Sequence, residues 1–532
     1  MSRYTLTIVD TTGIQEYIFG TNNLPQNIGA SYLVESATRQ WVVDALDALP
    51  AKHNVRDFDS DSPFIPDRMI EDGTLQAEIV YAGGGNTVIL FASYELAVAF
   101  ARRLTRQVLL EAPGLQLVLV HQNFDWQSQS LGGKSGVVKR AMNCLAARKA
   151  NRTGSWPLLG LGVTAACVFT GLPAVAEDED ERLISAEVRA KLHAERKAHD
   201  RLKQLVQFHG YGVPKDFDDF GRTKGESSYI AVIHTDGNGI GKRIQRIRDG
   251  YPTSADNRKY IQEIRAFSLS IQTAARKALQ STVGKLVTSV DEHQIISGVI
   301  ELEKNQLPFR PIVFGGDDVT FVCDGRLGLS LAAYYLEQFS GMKLEDGDPA
   351  HCRAGVAVVK THYPFARAYA LANDLCRSAK QYIKEQQQPP FAEEGLTALD
   401  WHFAVGGLVL ELTEVREREY TVPHEGKLWM RPVRMTNPEK DWRSWQTFSQ
   451  IVQKFQTSDG WAERRNKVKA LRDALRSGRD TVKHFRAVYN LDKLPPISQQ
   501  PEMEVQGWQG DRCGYFDAIE AMDFFIPLAG ES

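Results

Sequence analysis

The chain repeats itself, and this restricts its fold more than any other feature: two stretches carry the same order of elements and the same two chemical marks. In the later stretch, residues 229–235 (YIAVIHT) are apolar and β-branched, which predicts a buried strand ending at Asp236. The turn Gly237-Asn238-Gly239-Ile240-Gly241-Lys242 follows. Residues 258–279 then place Ile261, Ile264, Phe267, Leu269 and Ile271 at helical spacing. Residues 309–314 and 319–323 predict two strands around Gly315-Gly316-Asp317-Asp318, followed by a helix over 327–339, a strand over 353–359 and a helix over 366–383. The order is β-α-β-β-α-β, the ferredoxin-like arrangement.

The earlier stretch has the same order. Residues 6–9 predict a strand ending at Asp10, and residues 27–46 are mainly helical. Strands over 78–82 and 87–91 flank Gly83-Gly84-Gly85-Asn86, with a helix over 94–110 and a strand over 116–121 behind them. Each half thus ends its first strand on an Asp and turns between its second and third strands on glycines. Only the later hairpin carries carboxylates. The fold class that follows is α+β: two ferredoxin-like palm domains, 1–125 and 226–410, joined by a helical linker over 126–225. A mainly helical C-terminal domain over 411–532, with isolated Trp429, Trp442, Trp445 and Trp461, completes the expectation.

At 532 residues the chain is too long for one core. No run approaches the ~20 apolar residues of a membrane span, and the opening residues read as a strand rather than a leader, so the expectation is a cytoplasmic protein with no membrane partner. Six scattered cysteines form no C-x-x-C pair, which argues against a disulfide framework and a cysteine zinc site. A net charge of −3 gives no global basic field for nucleic acid. Lys139, Arg140, Arg148, Lys149 and Arg152, and the basic residues of 464–486, read as solvated surface. The charged helix over 186–205 reads as a linker packed on one side.

The second half has the residues for phosphoryl chemistry. Joining nucleotides requires a hydroxyl to attack an α-phosphate while pyrophosphate leaves, and the transition state is strongly anionic. Mg²⁺ or Mn²⁺ held by carboxylates is the common solution. Asp236 and Asp317-Asp318 would meet across neighbouring strands, where without a cation they would repel one another. Gly315 and Gly316 allow a turn unobstructed by side chains. Gly237, Gly239 and Gly241 do the same where a helix start offers free N–H groups to phosphate.

These segments resemble the large polymerase/cyclase subunit of type III CRISPR effector complexes. The resemblance rests on Asp10 to Phe19, Asn27 to Leu33, Gly83 to Asn86, Asp236 to Gly241, Phe314 to Asp318 and Leu399 to His402. It implies two palm domains, the second catalytic, that convert ATP into cyclic oligoadenylate messengers in antiviral defence. Target RNA would be the activator, and guide RNA and other effector subunits the partners. By position, Asp236, Asp317 and Asp318 would be catalytic and, with Gly237, bind the metal. Lys380 matches a triphosphate-contacting lysine of related palm cyclases, while Ser378 and Asn238 would lie near base or ribose. Three departures stand out. The chain opens on the first palm, without the HD nuclease domain of many members, and His199-Asp200 reads as a surface pair. The segment Cys167 to Ala174 keeps one cysteine of the family's zinc site, so no zinc is expected. Asn238 stands where many members have a second Asp, which would lower metal affinity or alter nucleotide choice. A catalytically silent nucleotide- or RNA-binding scaffold subunit is the alternative reading. A guanylate-specific cyclase is disfavoured by the duplication.

Overall fold

The computed structural model describes residues 3–60, 62–152, 162–220, 228–388, 395–404, 411–436, 439, 441–497 and 500–530. The boundaries expected at 225/226 and 410/411 touch residues outside this set. The architecture is α+β.

The first half runs β1 (Arg3–Thr12), α1 (Ile14–Phe19), α2 (Leu24–Thr38), α3 (Gln40–Asp47), β2 (Ala77–Gly83), β3 (Asn86–Phe91), α4 (Tyr94–Glu111) and β4 (Gln116–Asp125). Its antiparallel sheet has the order β2-β3-β1-β4. Side chains alternate between the faces, as the two-residue period of a strand demands. Val9, Ile89 and Phe91 pack in one cluster with Leu33 of α2 and Phe100 and Leu104 of α4. Leu6, Ile8, Val118 and Val120 pack in the other with Ala141 and Leu145 of α5 (Val137–Ala150). Helix α4 starts where the Ser93 hydroxyl accepts the Leu96 N–H at 3.2 Å, a side-chain N-cap.

A ribbon of β5 (Ala174–Glu177) and β6 (Leu183–Ser185) leads into α6 (Ala186–Leu205), which lies along α2. The two helices touch so closely that a Cβ on Gly29 would overlap the Lys191 carbonyl. The expected surface pair on α6 divides: Asp200 is exposed, whereas His199 is half-buried. Burial and the nearby Arg310 charge push the His199 pKa down to about 4. The basic residues of α5 are also less idle than surface charges. Arg148 donates to the Leu119 carbonyl at 2.6 Å, and Lys149 pairs with Asp10 at 2.6 Å.

The second half repeats the pattern with β7 (Tyr229–Gly237), α7 (Ile240–Asp249), α8 (Asn257–Thr288), the small hairpin β8 (Ile295–Ile296) and β9 (Ile300–Glu301), β10 (Phe309–Val313), β11 (Val319–Asp324), α9 (Gly328–Ser340) and β12 (Cys352–Lys360). Then α10 (Phe365–Gln386) crosses back, and β13 (Ala398–Phe403) pairs parallel to β12. The sheet order β10-β11-β7-β12 is that of the first half, extended by β13 and by Val433–Arg434 from the C-terminal part of the chain. Ala231 and Ile233 pack with residues of α8 and α9, whereas Ile230 and Val232 pack with Ala372 and Leu375 of α10. Helix α10 therefore stands to its sheet as α5 stands to the first. The repeat is one helix longer than the sequence pattern indicates.

The C-terminal part is helical with a small four-stranded sheet of two-residue strands. It packs on β13 through Trp401 and Phe448, ring centroids 4.6 Å apart, and through the buried Arg431 beside Asp517 and Glu520. Burial, outweighing the Arg431 charge, raises the Glu520 carboxyl from 4.5 to about 7. The folded state therefore holds this proton where the unfolded chain has lost it. Stability from this group is present below about 4.5 and is lost as the pH climbs towards 7. The slope is at most about 1.4 kcal/mol per pH unit. Urea unfolding at a series of pH values measures it, and Glu520→Gln is expected to flatten the profile between those limits.

Candidate metal and nucleotide site

Register brings the acids together. Val319 of β11 lies opposite Thr235 of β7, so Asp318, the residue before Val319, falls beside Asp236, the residue after Thr235. One carboxylate oxygen from each of Asp236, Asp317 and Asp318 can be chosen so that all lie within 4.8 Å of one another. Among the described residues this is the one group of three or more side chains so placed. Gly237 lies directly beneath the cluster: a Cβ there would stand 2.8 Å from the Cβ of Asp317 and 3.0 Å from its Oδ2. No other residue fits. Gly239 caps α7 with φ of +73°, a backbone conformation that favours glycine. Ile240 is buried, and Gly241 follows it in the first turn, where helix N–H groups lack partners within the helix.

The carboxylates repel one another, as expected without a cation. Burial raises the Asp317 pKa. Asp318 is open to solvent on one side. Even so, the protein packed around it and the Asp317 charge push its pKa up to about 7, against a smaller opposing pull from Lys380. Shifts of this kind gather where charge is held in place for chemistry. A divalent cation would relieve both causes, and three carboxylate oxygens are the donors that Mg²⁺ or Mn²⁺ takes. The residues fit the ion.

Two cations frame the cluster differently. Arg353 of β12, buried at 4% exposure, lies opposite Asp236 in the ladder and pairs with its carboxylate. Its Nη1 also donates to Asn238 Oδ1 at 2.7 Å and to the Gly237 carbonyl at 3.2 Å. Asn238 completes the lock by donating from Nδ2 to the Leu396 carbonyl at 3.0 Å. Lys380 of α10 is exposed, near enough to Asp318 and Arg353 to feel both charges, and has no hydrogen bond or ion pair among the described residues. Ser378 faces elsewhere: its hydroxyl accepts from Arg416 Nη1 at 3.3 Å, and Arg416 is paired with the buried Asp400.

The two glycine hairpins meet. A Cβ on Gly316 would lie 3.7 Å from the Cα of Gly84, and one on Gly315 would lie 3.6 Å from Glu35 Oε1. Between the halves is a cavity of about 180 Å³, lined by Gly83, Gly84 and Gly85 on one side and Gly315 to Asp318 on the other. Glu35 and Arg201 also line it; Arg201 binds Glu35 at 2.7 Å and Asp59 at 2.6 Å, tying α6 to α2. Sequence reasoning missed Arg353 and Arg201. The one cue for Arg353 was a charge inside an otherwise apolar strand, C-R-A-G-V-A-V-V.

Csm1 in T. onnurineus aligns with 98% of this chain and 70% of its own, at a TM-score of 0.53 and 14% identity. The chain has the fold of Csm1. A Csm1–Csm4 cassette in complex with one ATP aligns with 99% of this chain and 70% of its own, at a TM-score of 0.53 and 12% identity. A Csm1–Csm4 cassette in complex with cA4 does so over 98% and 70%, at 0.51 and 13%. No protein-family model matches the chain, and no curated protein matches it. The Csm1 fold is the one that the resemblance of the hairpins and strand ends implies.

Proposed function

We propose that this chain is a metal-dependent nucleotidyl cyclase that joins NTPs, ATP first among them, into cyclic oligonucleotides. The carrying observation is the cavity between the two hairpins, with acids on one side only. In this reading residues 1–125 and 226–410 are the two palms, 126–225 links them and 411–532 is an accessory domain. The acid half activates one nucleotide while the glycine half presents the other. A hydroxyl oxygen of the acceptor forms a bond to the α-phosphorus of the donor, the bond to the β-phosphate oxygen breaks, and pyrophosphate leaves. Asp236, Asp317 and Asp318 hold the cation, which supplies charge neutralisation at the attacking and leaving oxygens. Gly237, Gly239 and Gly241 let phosphate approach the α7 N-terminus, and the unpaired Lys380 reaches the triphosphate tail. The bound ATP and cA4 in the similar cassettes support this reading, and their association with Csm4 supports a place in a multi-subunit complex.

The test is product identification. Purified protein is incubated with each NTP and Mg²⁺ or Mn²⁺, with and without RNA, and products are read by mass spectrometry. Cyclic oligonucleotide is the expected product, and absence of any product under every condition would sink the cyclase reading. The alternative, a nucleotide- or RNA-binding subunit without turnover, rests on the neutralisation of Asp236 by Arg353. It would be chosen by stoichiometric nucleotide binding with no product. Lys380→Ala is expected to raise KM for the triphosphate about tenfold with a smaller change in kcat, as a lost charge-assisted contact does.

A further inference from the structure

The repeat supplies an internal comparison at the acid that both halves share. In the first half, Asp10 lies near the end of β1, which runs on to Thr12, and is paired by Lys149, from the helix that follows β4. The residue opposite Asp10 on β4 is Val118. In the second half, Asp236 is the residue before the end of β7, and the residue opposite it on β12 is Arg353. The helix that follows β12 carries Lys380, which pairs with no described residue. The same acid is satisfied in one half by the helix lysine and in the other by the strand arginine.

We propose that Arg353 is a positioning residue that occupies Asp236 and so keeps Lys380 free for the phosphates of the nucleotide. The inference rests on the cyclase reading of the site. Arg353 suits this task because it is held on three acceptors, Asp236, Asn238 Oδ1 and the Gly237 carbonyl. A fork so held cannot turn towards a phosphate, whereas a lysine on a flexible stem can. The Arg353 charge is the first cause of a lowered Lys380 pKa, as expected of two cations sharing one field. The proposal also gives Asn238 a role. Its amide accepts from Arg353 and donates to Leu396, which an aspartate could not do at once. Asn238 is thus the clamp for the arginine. Without Arg353, Asp236 would lose its cation, and Lys380, which already feels the Arg353 and Asp318 charges, would be drawn towards it as Lys149 is to Asp10.

A double-mutant cycle on equilibrium binding of a non-hydrolysable ATP analogue, without divalent metal, tests this. Lys380→Ala and Arg353→Gln are each expected to weaken binding about tenfold, and the double variant about tenfold rather than a hundredfold. Arg353→Lys keeps a cation near Asp236 but loses the fork that held it, so its binding is expected to fall between wild type and Arg353→Gln. Multiplicative losses in the double variant would overturn the proposal, because Arg353 would then act independently of Lys380. No loss with Lys380→Ala would instead overturn the triphosphate role itself, and with it the basis of the cyclase reading of that lysine. Thermal melts show whether each variant is folded. Should Arg353→Gln not fold, Asn238→Ala frees one arm of the guanidinium and replaces it in the cycle. It is then expected to lose nothing further when Lys380 is already alanine, and a multiplicative loss overturns the proposal in the same way.

Discussion

Replacing Asp317 and Asp318 together by alanine is expected to abolish nucleotide joining while making the protein more stable. Both carboxyls have raised pKa values, Asp317 through burial and Asp318, at about 7, through the protein packed around it and the Asp317 charge; Asp318 is exposed, so solvent screening leaves most of the stability cost on Asp317. A group whose folded pKa lies above its unfolded value costs stability at neutral pH, so removing it returns that cost. The same two groups are the larger part of the cation site. Their loss is expected to lower the rate about 10³-fold or more, which corresponds to roughly 4 kcal/mol of barrier. The paired readouts are product formation by mass spectrometry and the midpoint of thermal unfolding. A dead variant with a lower midpoint would mean that the acids support the fold instead. An active variant would remove them from the chemistry altogether.

The second large effect is structural. Gly355 lies two residues beyond Arg353 on β12, where α10 crosses the strand. A Cβ at Gly355 would fall well inside the contact radius of the Ala372 carbonyl and the Cys376 amide, both backbone atoms of that helix. Backbone cannot step aside as a side chain can, so the helix must lift from the sheet. Gly355→Ala is therefore expected to cost about 3 kcal/mol or more, at the upper end of overpacking changes. Urea unfolding measures it. The same lift would carry Lys380 away from Asp318, so nucleotide affinity is expected to fall along with stability. An unchanged midpoint would mean that α10 does not seat on β12 as described.

The strand ends and hairpins were legible in the sequence because their signals are local. A β-branched run announces a strand, and a glycine pair announces the turn at its end. From these, Asp236, Asp317 and Asp318 could be placed together before any coordinates. Arg353 was not legible as a partner of Asp236, because the pairing of β12 with β7 joins residues more than a hundred positions apart. A lone arginine in an apolar strand shows that a partner exists but does not name it. Helix α5 falls in the stretch 126–225 that the repeat leaves as a linker, and its basic residues look like solvated surface. In the fold, two of them serve the first sheet, Arg148 on the Leu119 carbonyl and Lys149 on Asp10. The resemblance places Ser378, with Asn238, near base or ribose, and Lys380 on the triphosphate. Residues two apart on a helix face away from each other, and Ser378 turns to Arg416.

The cavity between the hairpins has a kinetic consequence. At about 180 Å³ it is smaller than the roughly 300 Å³ at which ordinary small-molecule pockets begin. If the chain joins two nucleotides as proposed, the site would have to widen, and the Arg201 pairs with Glu35 and Asp59 stand at its wall. Whichever nucleotide enters first meets the cost of opening, and the second enters a site already open. Apparent affinity for the first is reduced by the scarcity of the open form, and affinity for the second is not. On the cyclase reading, such a site would respond to nucleotide concentration as a threshold, staying quiet at low levels and turning on steeply above them.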